Sequence, residues 1–579
     1  MPKNGKSENQ TPVAPTPNGD ARFRGPDPFG EYEPAYRSLR VYAFHPGLGR
    51  RSGNHLILRV PFEPLKPGPI GSRVRVIDES LEGELLHPPV DLEHPDIIRN
   101  GGIEPSDGNP QFHQQMVYAV VSNMLRHFDR ALGRQVRFRS KGTAEQKVLT
   151  ILPHGMKEAN AYYDNEKVAL SFGQFPAAQA KTGRNIPGQL VYACLSHDIV
   201  VHETTHALLD GLRPSFMENT NVDSYAFHEG FSDVIALMQL LTFPEPLLET
   251  IQRTGGRLYS ASLHPELDGS DQAEQNPLIS LGQQFGQAVG AGDALRSAVG
   301  KPPDKDSLKE TQPHPRGAIM MNAVFDAFFH VYARRTRGLF RLSARATGSE
   351  GDLHPDLARR LAADASQLAT AFLQLCIRAI AYCPAVDMTL GDYLRAMMTV
   401  HARLDPDDRD GFRDALIDAF ARRGIYPPDV ASMSESELIW KPPRKPLSLD
   451  RQVVRQLRAA DAGGYRDMEA EKLLHQFCEE HREDLGFIPD ASLEVSPFHQ
   501  AIRFVGPELD VAEELVCQVT QSMEPNKRGG AGVPPYRGGT TLIFGEDGQR
   551  GRLRYAITKR IDAERQAAQR KWLKANGIP

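Results

Sequence analysis

The sequence predicts an α+β protein with a mainly helical middle and β-containing segments toward both ends. Short β-like runs separated by Pro and Gly occupy the first hundred residues after a polar tail. Apolar residues then recur at helical spacing from about residue 189 to 425. Beyond a segment rich in Pro, Lys and Arg, helical and β-like patterns alternate to the end. We therefore expect one large α+β domain with a smaller module on each side.

Composition restricts the class of protein. The 579 residues are 40% hydrophobic and 24% charged, with a formal net charge of −5. These values exclude a fibre, a wholly disordered chain and a multi-span membrane protein, and they give no basic surplus for nucleic acid. The five cysteines include no CxxC pair, and neither a Sec-type signal nor an 18-residue apolar stretch is present. We expect no membrane partner and a cytoplasmic location, with export that needs no signal left open.

The domain boundaries follow the changes in pattern. Residues 1–34, rich in Pro, Asn and Gly, read as a disordered tail. The remaining segments are a β-rich N-terminal module at 35–104, the large domain at 105–435, a linker at 436–449 and an α/β C-terminal domain of open role at 450–579.

Individual elements follow from periodicity and from start and stop residues. Strands are expected at 39–44, 56–60, 74–77, 148–152, 160–163, 168–173 and 540–544. Helices are expected at 113–132, 189–210, 223–242, 318–335, 364–382, 389–403, 407–422, 450–482, 511–523 and from 559. Thr389 with Asp392 predicts a capping box, and Gly424 predicts a helix stop. The glycine-rich run 528–532 lacks the Lys-Ser/Thr of a phosphate loop and reads as a flexible loop.

The most informative segment is a His-Glu-x-x-His motif within an apolar helix. His202 and His206 are four residues apart, so both imidazoles lie on one helix face and can bind one ion. Glu203 lies beside them and can accept a proton from a water at that ion. Two neutral imidazoles suit Zn²⁺, which takes about four ligands and leaves one position open in catalytic sites. The bare motif also arises by chance in a long chain.

The next helix offers the missing ligand. Glu229 and Asp233 are one turn apart in a strongly apolar helix, where carboxylates need partners. Glu229 would complete a His₂Glu site, and Asp233 would accept the free N–H of His202. The alternative is a pair of solvated acids on a helix surface.

Together the two helices resemble those of the thermolysin-like zinc peptidases, the gluzincins, over roughly residues 105–430. The resemblance rests on two segments, Asp-Ile-Val-Val-His-Glu-Thr-Thr-His-Ala-Leu and His-Glu-Gly-Phe-Ser-Asp. The resemblance implies a thermolysin-like core, with a β-rich lobe that ends in an edge strand and a mainly helical lobe. It also implies Glu229 as the third ligand and Asp233 as the residue that orients His202.

Further site residues are implied by the same resemblance. Asn160 and Ala161 match the edge strand that binds the substrate backbone, with a turn role for Asn160 as the alternative. His314 matches the histidine that stabilises the oxyanion, with Glu310 as the residue that holds its ring. A helix cap or a surface loop is the alternative for His314. Arg296 is similar to the arginine that meets the substrate carbonyl, and a solvated arginine fits three matching residues equally well.

The chain departs from this family at several points. The acidic calcium cluster after the glutamate helix is replaced by Leu240, Leu241 and Phe243, so structural calcium is not predicted. The gap between the two helices is longer than in thermolysin. No catalytic tyrosine can be placed; Tyr225 is the nearest candidate. The expected cofactor is one Zn²⁺ per chain.

The leading hypothesis is a zinc metalloendopeptidase that acts on peptide or protein substrates, with an open oligomeric state. One alternative is a zinc aminopeptidase, which would need acidic residues to capture a free amine. The other is a catalytically weak zinc scaffold that binds a protein partner, against which the intact Glu203 argues.

Overall fold

The structure, a computed structural model, places a sheet before the helical part of the chain and a second sheet after it. It describes residues 35–46, 54–139, 148–178, 186–253, 256, 258, 280–281, 296–297, 305–347, 353–462, 468–496, 498–505, 510–523, 534–547 and 550–578. The tail predicted at 1–34 and the glycine-rich loop predicted at 528–532 lie outside them.

Within the described residues, secondary structure covers most of the chain, and helices and strands are largely segregated along it. The helices are α1 Pro95–Arg99, α2 Pro110–Leu132, α3 His197–Leu212, α4 Ser224–Leu240, α5 Pro244–Arg253, α6 Pro313–Thr347, α7 Pro355–Ala379, α8 Leu390–Leu404, α9 Phe412–Arg422, α10 Glu435–Leu438, α11 Arg451–Ala462, α12 Met468–Glu480 and α13 Ala563–Ala575. The strands are β1 Tyr36–Tyr42, β2 His55–Pro61, β3 Val74–Val76, β4 Leu149–Met156, β5 Ala161–Asp164, β6 Ala169–Pro176, β7 Leu190–Tyr192, β8 Ser280–Leu281, β9 Arg296–Ser297, β10 Ser448–Leu449, β11 Ser492–Val495, β12 His499–Val505, β13 Asp510–Ser522, β14 Gly538–Asp547 and β15 Arg550–Lys559. The predicted α+β class is confirmed.

The sheet that precedes the helices ends in the predicted edge strand. Its strand order is β3-β4-β6-β5, and β7 pairs with the far end of β6. Strand β5 runs antiparallel to β6, with Ala161 opposite Phe172, and no other described strand pairs with β5. A separate antiparallel pair, β1 and β2, packs its alternate buried residues against α2. One backbone edge of β5 therefore remains without a strand partner among the described residues.

Helix boundaries follow local chemistry. Helix α2 begins after Asn109, whose side chain accepts the N–H of Gln111, and ends at Gly133 in the left-handed conformation. The capping box of Thr389 and Asp392 is present at the start of α8. Helices α3 and α4 pack against each other, and α6 packs along α4. These three helices carry the predicted metal-binding region.

The sheet that follows the helices corrects two predictions. Its strand order is β10-β15-β14-β13-β11, with β12 also paired to β13. The helix predicted at 511–523 is wrong, because Asp510–Ser522 forms the central strand β13. The helix predicted at 450–482 is present as two helices, α11 and α12, and the residues between them lie outside the described part.

Strand β13 is buried on both faces, which explains the wrong helix prediction. Leu515, Cys517 and Val519 lie in the hydrophobic cluster between this sheet and α12. Glu514, on the opposite face, is buried and accepts hydrogen bonds from the Tyr382 hydroxyl at 2.7 and 2.8 Å. Polar residues that read as the solvated face of a helix are thus buried against the helical part of the chain.

The second sheet also contacts the end of α3. The guanidinium of Arg213, the residue after α3, is fully buried and donates to the carbonyl of Ile380 and to the Thr541 hydroxyl. The Gln518 amide donates to the carbonyl of Leu212 at 3.2 Å. Burial lowers the pKa of Arg213 to about 10. Residues Tyr36–Pro579 form one compact unit.

No single helix among the described residues is long and apolar enough to cross a bilayer. Ser224–Leu240 and Pro244–Gln252 meet the criteria of length and composition only as a pair, and the two segments are bent by 81°.

Candidate metal centre

Helix α3 places the His-Glu-x-x-His motif in a buried position. His202, Glu203 and His206 are 5, 8 and 8% exposed. The Thr204 and Thr205 hydroxyls donate to the carbonyls one turn earlier, so the buried helix leaves neither hydroxyl unsatisfied. The Nε2 atoms of His202 and His206 lie 3.0 Å apart, as the i, i+4 spacing predicts.

Glu229 of α4 brings a carboxylate to the same point. Its Oε2 lies 3.3 Å from Nε2 of His202 and 3.7 Å from Nε2 of His206. The three side chains form one group of potential metal ligands.

Asp233 lies one helical turn beyond Glu229 and contacts the other side of the first imidazole. Its Oδ1 is 2.8 Å from Nδ1 of His202, and the Asp233 side chain is fully buried. A carboxylate can only accept from this nitrogen, so Nδ1 carries the proton and the lone pair of Nε2 faces His206 and Glu229.

The second imidazole has a partner that sequence reasoning missed. Nδ1 of His206 lies 2.6 Å from Nδ1 of His228 and 3.3 Å from the Ser232 hydroxyl. Burial, with a further contribution from His206, lowers the pKa of His228 well below its usual value. A neutral His228 accepts the Nδ1 proton of His206, which turns the Nε2 lone pair toward Glu229. The signal in the sequence was His228 and Ser232 at i, i+4 in the same helix as Glu229.

His314, at the start of α6, is the most exposed member of the centre. Its Nδ1 lies 2.9 Å from Oε2 of Glu229, and 58% of its side chain is exposed. Behind it, Arg316 is buried, pairs with Asp223 at 2.5 Å and donates to the carbonyls of Leu308 and Glu310. Arg316 therefore fixes the loop that presents His314, a role that the sequence did not indicate.

Glu310 has different contacts from those predicted. Its carboxylate oxygen Oε1 accepts the backbone N–H groups of Thr311 and Gln312, each at 2.8 Å. These bonds shape the approach to α6. The described contacts of Glu310 give no support for the predicted role of holding the His314 ring.

Helices α4 and α6 approach each other at two glycines beside the centre. A Cβ on Gly317 would lie 2.5 Å from the carbonyl oxygen of Ala226 and 2.7 Å from the backbone nitrogen of Gly230. A Cβ on Gly230 would lie 2.5 Å from the carbonyl oxygen of Gly317. This close crossing brings the start of α6, with His314, against Glu229.

The predicted substrate-binding residues lie at the edge strand. Asn160 is exposed, and its side-chain oxygen accepts the N–H of Ala161 at 2.9 Å. Two residues beyond Ala161, the Tyr163 hydroxyl donates to the buried carboxylate of Asp210 at 2.9 Å. Because Asp210 is on α3, this bond joins the edge strand to the helix that carries the histidines. Arg296 lies in β9, and its side chain lies outside the described residues.

The donor set fits a divalent metal ion. Two imidazole nitrogens, each with its proton directed away, face one buried carboxylate oxygen within 3.7 Å. Two histidines and one glutamate are a known ligand set of catalytic zinc. The sequence was also compared with models of protein families and with curated proteins, and neither comparison gave a match.

Proposed function

We propose that this protein is a zinc-dependent endopeptidase. The observation that carries the proposal is the convergence of His202, His206 and Glu229, with Glu203 one residue along the same helix. A purely structural zinc site needs no carboxylate in addition to its ligands, whereas hydrolysis needs a general base.

His202, His206 and Glu229 would hold the ion. When bound, Zn²⁺ acts as a Lewis acid that polarises the scissile carbonyl and makes water acidic enough to attack at neutral pH. Glu203 takes the proton of the attacking water and later gives it to the leaving amine. Asp233 and His228 keep the two imidazoles in the tautomers that ligation needs.

Two further elements surround this centre. His314 is 58% exposed and reaches the ligand oxygen of Glu229, which puts a hydrogen-bond donor beside the position where negative charge develops on the substrate. Strand β5 offers the edge that no other described strand pairs with to an extended peptide, so main-chain hydrogen bonds position the substrate with little demand on its side chains. The Tyr163–Asp210 bond fixes that edge relative to α3.

Glu203→Gln tests the proposal most directly. The substitution keeps the size of the side chain and removes the base, so peptide hydrolysis should fall about 10²–10⁴-fold while metal content stays at the parent value. Glu245→Gln, at an exposed position at the start of α5, is the matched control and should change neither quantity. His206→Ala should lose one metal equivalent together with activity.

The enzyme should cleave peptides with a blocked N-terminus as readily as peptides with a free amine. This result would separate an endopeptidase from an aminopeptidase. Parent-level hydrolysis by Glu203→Gln would refute the proposed mechanism. A zinc-loaded parent that cleaves no member of a peptide library would favour the scaffold.

A further inference from the structure

A second pair of facing histidines precedes the first pair in the sequence. His113 of α2 and His154 of β4 are each 1% exposed, and Nδ1 of His113 is 2.8 Å from Nε2 of His154. Cys194, fully buried in the 3₁₀ turn Ala193–Leu195 just before α3, is the third member of this group. The ligand atoms of the three residues all lie within 4.8 Å of one another.

The outer nitrogens of this pair fix both tautomers. Nδ1 of His154 lies 2.8 Å from Oδ1 of Asp78, and Nε2 of His113 lies 3.2 Å from the carbonyl oxygen of Asp107. The other oxygen of Asp78, Oδ2, accepts a hydrogen bond from the Gln114 amide at 3.0 Å. A carboxylate and a carbonyl accept hydrogen bonds, so each outer nitrogen donates a proton.

When each ring holds one proton, both inner nitrogens present lone pairs. Two acceptors 2.8 Å apart in a buried site repel each other unless a cation lies between them. The same pattern occurs in the first centre, where the facing Nε2 atoms of His202 and His206 are 3.0 Å apart and an outer nitrogen contacts a buried carboxylate. Two Zn–N bonds of ~2.0–2.1 Å at a tetrahedral angle separate nitrogens by roughly 3.3 Å, so either pair needs only a small opening.

We propose that His113, His154 and Cys194 form a second metal site, and that it takes Zn²⁺. Two imidazoles and a thiolate are a ligand set that selects zinc over magnesium or calcium, which prefer oxygen. A cysteine binds zinc as the thiolate, so binding would release the proton of the buried Cys194 thiol.

The neighbouring acidic group does not compete for this role. The Asp78 carboxylate already accepts from His154 at 2.8 Å, from the Gln114 amide at 3.0 Å and from His87 at 3.1 Å. These bonds satisfy Asp78 without an ion, and they leave it as the residue that orients His154, as Asp233 orients His202.

The position of the site indicates a structural role. Its ligands come from α2, from β4 and from the turn that leads into α3. A bound ion would therefore tie the sheet to the start of the helix that carries the first centre. The expected metal content becomes two equivalents per chain, in place of the single zinc that the sequence predicts. This inference stands on its own geometry and does not depend on peptidase activity.

Cobalt substitution of the full-length protein tests the site. A thiolate ligand gives an intense sulfur-to-cobalt charge-transfer band, and the first centre contains no sulfur, so this band reports on Cys194 alone. We expect the Co²⁺-loaded parent to bind two equivalents and to show the band. Cys194→Ala should bind one equivalent without the band, whereas His206→Ala should bind one and keep it. Cys376→Ala, at another buried cysteine that no metal-binding group of described residues includes, is the control and should bind two.

A parent that binds a single equivalent without the thiolate band would overturn the proposal and would mean that His113 and His154 share a proton. Because this readout uses the parent protein, it holds even if Cys194→Ala fails to fold. A parent protein that shows the thiolate band but hydrolyses no peptide would refute the proposed function, and the proposal of the second metal site would still be supported.

Discussion

Gly317→Ala should disturb the centre from a position that contacts no ligand. The new Cβ would lie 2.5 Å from the Ala226 carbonyl oxygen, where carbon contacts ordinarily lie at about 3.5 Å or more. Helices α4 and α6 must therefore separate by roughly 1 Å. Overpacking of this kind costs about 1–3 kcal/mol in the free energy of unfolding.

The same displacement moves His314 away from Glu229. Their contact of 2.9 Å should lengthen, and a misplacement of about 1 Å can reduce turnover on the order of 10²-fold. Metal content should stay close to the parent value, because the three proposed ligands lie on α3 and α4 and α6 supplies none of them. Chemical denaturation, metal analysis and peptide hydrolysis of one preparation measure the three quantities.

Gly338→Ala is the matched control on the same helix. A Cβ at Gly338 has nothing within 4 Å, so this substitution should stabilise the protein by about 0.5–1 kcal/mol through helix propensity. The two substitutions should thus change the free energy of unfolding in opposite directions. If Gly317→Ala were as stable and as active as Gly338→Ala, the helix crossing would not be what positions His314.

Three further substitutions test other contacts. Asp233→Ala should lower metal affinity or activity by about 10–100-fold, as measured by metal titration, because it removes the residue that orients His202; complete metal loss would make Asp233 a ligand. Tyr163→Phe should cost about 1.5–3 kcal/mol in unfolding and raise the apparent KM more than it lowers kcat, since it breaks the bond from β5 to the charged Asp210; an unchanged KM would contradict that role. Burial lowers the pKa of His197 from 6.5 to about 4. The buried neutral ring is therefore tolerated at no cost above pH 6.5, and the free energy of unfolding should fall by up to about 3 kcal/mol as the pH decreases from 6.5 to 4. In urea unfolding, His197→Gln should therefore show a shallower loss of stability between pH 6.5 and 4, and an unchanged slope would refute this assignment.

The approach of His202, His206 and Glu229 to one another was the easiest feature of the site to predict. Their spacing is local: His202 and His206 share one helix turn, and Glu229 with Asp233 share another. The contribution of His228 depends on the angle at which α4 meets α3, and that of Arg316 on a loop that closes onto Asp223. Such contacts are set by tertiary packing and have no periodic signal.

The strand at Asp510–Ser522 shows where periodicity fails. Its segment contains buried polar residues on one face, Glu514 and Gln518, whose partners come from elements that precede it by more than a hundred residues. A local pattern assigns such residues to solvent, because the buried partners that satisfy them are not visible in the segment itself.

The bonds at the end of α3 also concern the order of events during synthesis. Arg213 and Thr541 are 328 residues apart, and Leu212 and Gln518 are 306 apart. At about 5–20 residues per second, a ribosome needs roughly 15–65 s to add 328 residues. The helix that carries the histidines thus emerges long before the partners of its last turn exist. The contacts of Arg213 with Thr541 and of Leu212 with Gln518 therefore form only after those later residues are synthesised, whereas the packing of α3 against α2 and α4 can form earlier.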